Sequence, residues 1–143
     1  MILIVTVAAL AWSRMDFRAA RGADDALAQY GIRLGMSPAD VRATFSLGHA
    51  EGSQWRVVAD AEPALEWRSG ARSMRFEFHG AQLMAVRAML LLRDPSTQGR
   101  QIEVSTATVV RRHPQSDGRV EVTLLARECP THAAEAQRII TNP

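Results

Sequence analysis

Arg72-Ser-Met-Arg-Phe-Glu-Phe-His79, then Gly80-Ala81, then the apolar run Leu83 to Leu92, is the stretch whose reading decides the fold. Met74, Phe76 and Phe78 alternate with Arg75, Glu77 and His79. A period of two is the mark of a strand with one face on a core and one in polar surroundings. The following run is more apolar, with Val86 and Ala88 in its middle, and the turn signal His79-Gly80-Ala81 between them predicts an antiparallel pair. Upstream, Leu65 and Trp67 alternate with Glu66 and Arg68, and Trp55, Val57 and Ala59 with Arg56 and Val58. Glu62-Pro63 and Ser69-Gly70 mark the turns. Four strands joined by short connections predict an antiparallel meander.

Working outward, Ser37-Pro38-Ala39-Asp40 is a helix start. Ser37 serves as N-cap, Pro38 fits the first helical position, and Asp40 completes a capping box. The helix is expected over 37–47, with Val41 and Phe45 on one face and Gly48 as a left-handed cap. Residues 13–30 also carry helical spacing, ending at Gly31. Beyond the loop 94–99, Ile102 to Val110 and Val120 to Ala126 read as two further strands around the turn His113–Gly118. A short C-terminal helix, 132–140, is capped by Thr131. The expected class is therefore α+β: N-terminal helix or helices packed on one face of an antiparallel meander, with an extra C-terminal hairpin and short helix. The expected division is 1–12 as an apolar signal- or anchor-like segment, 13–30 as a helical linker and 31–143 as a single domain, split into a core over 31–93 and an appended part over 100–143.

The chain has 143 residues, 47% of them hydrophobic and 22% charged, which allows one domain with or without an anchor and excludes a two-domain enzyme. All 17 basic residues are arginine. With abundant alanine, this points to a GC-rich bacterial genome. The net charge of only +2 is spread along the chain rather than gathered in a stripe, so no nucleic-acid partner is expected. The tightest basic pair is Arg111-Arg112, in a predicted turn.

Met1 to Trp12 reads MILIVTVAALAW, without a charge. It is about half the length a membrane-spanning helix needs and fits the apolar stretch of a secretory signal. Arg14, Arg18 and Arg21 follow it with no basic flank ahead. Three readings stand: a signal anchor whose true start lies upstream, a minimal cleavable signal, or a soluble helix on a core. Ile2, Leu3, Ile4, Val5, Val7, Leu10 and Trp12 are the expected membrane-contacting residues.

Ile32 to Gly48, reading IRLGMSPADVRATFSLG, resembles the opening of small bacterial envelope domains of the SmpA/OmlA (BamE-like) type. Leu65-Glu66-Trp67 and Phe76 to Val86 are similar to the strands that follow in that family. The likeness covers residues 31–88 and extends in layout to β-lactamase-inhibitor-like modules. It implies an exported, non-enzymatic domain that acts through protein contacts in the envelope. The chain lacks a lipid-accepting cysteine after its apolar run and the proline that commonly follows the closing glycine, and its part beyond residue 100 falls outside the pattern.

Candidate chemistry is sparse. Cys129, the single cysteine, and His132 lie three apart around a helix start, where a thiol is activated by the helix end and an imidazole. The sequence shows neither the third, orienting group nor an oxyanion site, so a small buried residue beside a first-turn histidine is the expected reading. His49, His79, His113 and His132 have no metal-ligand spacing. No glycine-rich phosphate loop occurs. No catalytic residue, cofactor or metal is expected. Trp55 and Trp67 fall on inward sheet positions and, with Arg111 and Arg112, are the candidate interaction surface.

The expected function is a non-catalytic envelope interaction module: a scaffold, assembly factor or accessory subunit of a membrane-associated complex. Its expected location is periplasmic, inner-membrane anchored or secreted. The alternative is a small-ligand-binding or enzyme-inhibitor module of the periplasm, and a thiol enzyme centred on Cys129 ranks last. If Met1–Trp12 holds or sends the domain to a membrane, the full chain will fractionate with membranes or periplasm in a bacterial host. Its recovery in the cytosol alone would remove that reading.

Overall fold

The computed structural model describes residues 27–28, 30–59, 62–91 and 101–142. The expectations for Met1–Trp12, and for all but the end of the 13–30 linker, lie outside them. No helix among the described residues is long and apolar enough to cross a membrane.

Seven antiparallel strands form one sheet: β1 (Gln54–Ala59), β2 (Pro63–Ser69), β3 (Arg72–His79), β4 (Gln82–Leu91), β5 (Gln101–Val104), β6 (Thr108–Pro114) and β7 (Arg119–Ala126). Among the described residues two short helices accompany them, α1 (Pro38–Thr44) and α2 (Ala133–Thr141). The domain is mostly β, which corrects the α+β expectation of helices laid on one face of a meander. The spatial order β1-β2-β3-β4-β7-β6-β5 explains why. The last strand returns to pair with β4 over Ala85↔Leu125 to Leu91↔Arg119. This is a Greek-key return, and it puts β7 in the middle of the sheet. The segment read as an appended hairpin is thus continuous with the meander.

A further correction concerns Ile102 to Val110, expected as one strand. Ser105 Oγ accepts hydrogen bonds from the Ala107 and Thr108 N–H groups at 3.2 and 2.9 Å. This side-chain turn folds β5 back onto β6. Arg111 and Arg112 consequently lie within β6 rather than in a turn.

α1 begins as its sequence dictates. Asp40 N–H donates to Ser37 Oγ at 3.2 Å and Ser37 N–H to Asp40 Oδ2 at 3.4 Å, closing the capping box. It ends sooner than expected, at an extended Phe45. Gly48 is not a left-handed cap. Its role is space, because a Cβ there would meet the Trp55 ring and the Phe45 carbonyl at 3.0 Å. Gly31 does end the preceding helical turn with a φ of +79°. The C-terminal helix starts at Ala133, and Thr131 makes no cap.

The sheet has two unlike faces. Met74, Phe76 and Phe78 on β3 share one face with Leu65 and Trp67 on β2, and Leu27, Ile32, Val41 and Phe45 pack there. Phe45 meets Trp67, Phe76 and Trp55 edge-on at centroid distances of 5.0 to 5.8 Å. Trp67 is wholly buried because its N–H finds Ser53 Oγ at 3.1 Å. The register passes from Phe78↔Leu83 to Glu77↔Ala85, leaving Met84 as a bulge. The bulge lets Leu83 and Val86, three residues apart, both reach this face. On the opposite face Ala85, Leu125 and Val109 form a small apolar patch that takes Ala136 and Ile139 of α2. The two helices therefore lie on opposite faces.

Phe45 is the knob on which the aromatic face closes. Phe45→Ala is expected to cost roughly 3–5 kcal/mol, read as a lowered denaturant midpoint at constant slope.

Candidate functional site

The face that carries α2 is polar over β1 to β4. The register aligns Arg56, Glu66, Arg75, Arg87, Thr123 and Arg111 across six strands. Opposite charges directly across a pair stabilise a sheet, and like charges oppose it. Arg75 and Arg87 face each other, so carboxylates must stand between them. Arg75 reaches Glu66 at 2.9 Å, and the guanidinium groups of Arg75 and Arg87 both donate to Glu77 Oε1, at 3.3 and 3.0 Å. Arg87 also grips Glu135 of α2 with two parallel bonds of 2.8 and 2.7 Å. That fork is the strong geometry for a guanidinium and a carboxylate. It raises the Arg87 pKa, chiefly through Glu135, and holds Glu135 below the usual carboxylate value.

Beside this row, where α2 does not reach, lies a shallow open depression of about 250 Å³. Glu66, Arg68, Ser73, Arg87, Met89 and Glu121 line it.

Under the first turn of α2 the polar face meets the cysteine. His132 Nε2 lies 2.9 Å from Glu77 Oε2, and His132 Nδ1 lies 3.3 Å from Cys129 Sγ. Both Cys129 and His132 are 4% exposed. Burial pushes the Glu77 carboxyl up, but hydrogen bonds from Arg87 and His132 outweigh it and hold the pKa below its ordinary value. An ionised Glu77 only accepts, so Nε2 carries the proton of that bond and Nδ1 is the nitrogen that faces the thiol. The order is thiol, imidazole, carboxylate. The ring stands between sulfur and carboxylate, so the three cannot share one metal ion. Among the described residues no group of three such side chains is placed to hold one. Close by, Thr131 Oγ1 donates to Glu62 Oε1 at 2.8 Å and His79 Nδ1 lies 3.0 Å from the same oxygen. The Thr131 bond, then that of His79, lowers the Glu62 pKa.

The sequence paired Cys129 with His132, and the structure joins them. It missed Glu77, which comes from β3, 55 residues earlier. The signal for Glu77 was a carboxylate between Phe76 and Phe78 in mid-strand, turned to the opposite face. Of the candidate surface, Trp55 and Trp67 are paired across β1 and β2, while Arg111 and Arg112 lie apart from them on β6. Trp67 is buried in the aromatic core, and Trp55 is partly buried against Phe45 and Phe76, its N–H donating to the Gly48 carbonyl at 3.2 Å. Arg111 and Arg112, neighbours on a strand, point to opposite faces. Arg112 pairs with Glu103 at 2.8 Å and Arg111 with Glu121 at 3.5 Å. Arg111 Nε is enclosed without a hydrogen-bond partner among the described residues.

No family model, no curated protein and no solved structure matches the chain.

Glu77 and Glu135 titrate below the ordinary carboxylate value of 4.5 in the folded chain. A depressed folded-state pKa contributes stability that is fully present above the unfolded value and is lost as pH falls through the folded one. The denaturant midpoint is therefore expected to fall below about pH 4.5. Glu135→Gln should lower the midpoint at neutral pH and flatten that acid slope. An unchanged acid slope would show that the Arg87–Glu135 fork is not coupled to folding.

Proposed function

We propose that this chain is a non-catalytic interaction module of the bacterial cell envelope, which engages a protein partner through the open polar face of its sheet. The observation that carries the reading is the depression on that face, bordered by alternating guanidinium and carboxylate groups. A depression of about 250 Å³ is smaller than the roughly 300–1,000 Å³ clefts that enclose small organic ligands. Its open form suits a surface contact better than an enclosed ligand, which favours a protein partner over the small-ligand reading. Alternating charge supplies register and selectivity, because a wrong partner sets like charges face to face.

Three features of the sequence support the envelope setting. Met1–Trp12 has the character of a signal or anchor segment, residues 31–88 resemble SmpA/OmlA domains, and the lysine-free composition is that of a GC-rich bacterium. In this reading the apolar segment brings the domain to the membrane. The sheet face then holds a second subunit there, as a scaffold, assembly factor or accessory chain.

Capture from native membranes in mild detergent tests it. Exchanging the two rim charges, with Arg68→Glu and Glu121→Arg together, is expected to cut the captured partner roughly tenfold. Cys129→Ala is expected to leave capture unchanged. The same partner recovered at full yield with the exchanged charges would remove the polar face as the docking surface. Loss of an enzymatic activity in a folded Cys129→Ala variant would overturn the non-catalytic reading.

A further inference from the structure

We propose that Cys129 is a nucleophilic thiol, primed by His132 and Glu77 for oxidation to a sulfenic acid by a small hydroperoxide. A cysteine that serves only as a small apolar filler needs no imidazole at its sulfur. Here the ring is buried, and one of its two nitrogens is spent on Sγ at 3.3 Å while the other is held by a carboxylate at 2.9 Å. The carboxylate is fixed in turn, because Glu77 Oε1 accepts from Arg75 and Arg87. A nucleophile within reach of a base, and a base oriented by a third group, is the geometry that activates a thiol. The three groups come from two separate parts of the chain, β3 and the turn before α2, and meet only in the folded sheet.

The surroundings favour the charge that activation creates. The Cys129 carbonyl accepts from the His132 and Ala133 N–H groups at 3.0 and 2.9 Å, which fixes Cys129 in the turn that leads into α2. The imidazolium formed by proton transfer faces Glu77 from β3. Glu62 of the β2 start and Glu135 of α2 lie close enough to interact with it, while Arg87 and His79 oppose it. Size selects the reagent. Cys129 is 4% exposed, whereas Glu128 and Pro130 on either side of it are exposed. Burial of Cys129 restricts the reagent to a small molecule.

The step balances. His132 Nδ1 takes the thiol proton, and a thiolate electron pair attacks one oxygen of the hydroperoxide. The S–O bond forms as the O–O bond breaks, and His132 returns the proton to the leaving oxygen. The sulfur is oxidised by two electrons to Cys–SOH. The peroxide is reduced to water, or to an alcohol if it was organic. The sequence holds no second cysteine, so no internal thiol condenses with the product.

The full chain, hydrogen peroxide and a dione trap for sulfenic acid test this by mass spectrometry. At about pH 7 the folded chain is expected to react on the order of tenfold faster than the same chain in denaturant. His132→Asn removes the base and Glu77→Gln the positioning group. Each is expected to lose roughly tenfold and to fall to the rate of the denatured chain. Ile139→Ala loosens α2 from Ala85, Val109 and Leu125 without touching the thiol, the imidazole or the carboxylate, and leaves the rate unchanged. Near-UV circular dichroism shows which variants keep their fold, and Glu77→Gln decides the matter if His132→Asn does not. A folded chain no faster than the denatured one would overturn the proposal. So would acceleration by all three variants, because that marks an inert buried thiol reached by opening of α2.

Discussion

Glu77 sits in the middle of β3 beneath the first turn of α2, and a carboxylate taken from water must be compensated on both its oxygens. Arg75 and Arg87 take one oxygen and His132 the other. Much of the polar face follows from this arrangement. Arg87, held in place by Glu77, is also the guanidinium that grips Glu135, so the same network that satisfies the buried charge docks α2. His132, held by Glu77, is turned with its remaining nitrogen toward Cys129. Removing the carboxylate would leave two guanidinium groups facing each other across β3 and β4, and a buried ring without its partner.

Stability and specificity are divided between the two faces. The aromatic face buries Trp67, Phe45, Phe76 and Phe78 almost completely, each contributing on the order of 2–3 kcal/mol by removal from water. The ion pairs of the polar face are partly exposed, as with Arg56–Glu66 and Arg111–Glu121, and such pairs contribute about 0–1 kcal/mol each. The aromatic face therefore carries the larger share of the folding energy. The polar face is left with a pattern of charge whose value is selectivity. Only where α2 covers it, at Ala85, Leu125 and Val109, does that face add a second apolar cluster.

An interaction surface and a primed thiol are compatible on one face, because they occupy different parts of it. The depression lies over β2 to β4 and touches β7 at Glu121, while the thiol lies under the turn that leads into α2. They share Arg87, which lines the depression and holds Glu77. A change at the sulfur is thus two hydrogen-bonded links, His132 and Glu77, from the surface proposed to meet a partner.

The alternation in Met74–His79, the turn at His79-Gly80-Ala81 and the capping box of Ser37 and Asp40 were legible in the sequence because each is a local matter of side-chain period, backbone freedom or a bond across three residues. They determined the central strands, α1 and which residues of β3 form the aromatic core. The fold class was not legible, and neither was the third member of the Cys129 cluster. Pairing of β7 with β4 depends on a return across the sheet from residues that are distant in sequence, and hydrophobic period does not name a strand's partner. The fold at Ser105 was hidden as well, since a serine in an alternating run reads as a polar strand position until its side chain is seen to bind its own backbone. Glu77 and His132 are 55 residues apart, and no spacing links them. The sequence by itself determined which side chains β2 and β3 turn to either face. The tertiary structure alone decided which strands are neighbours, and so which of those side chains meet.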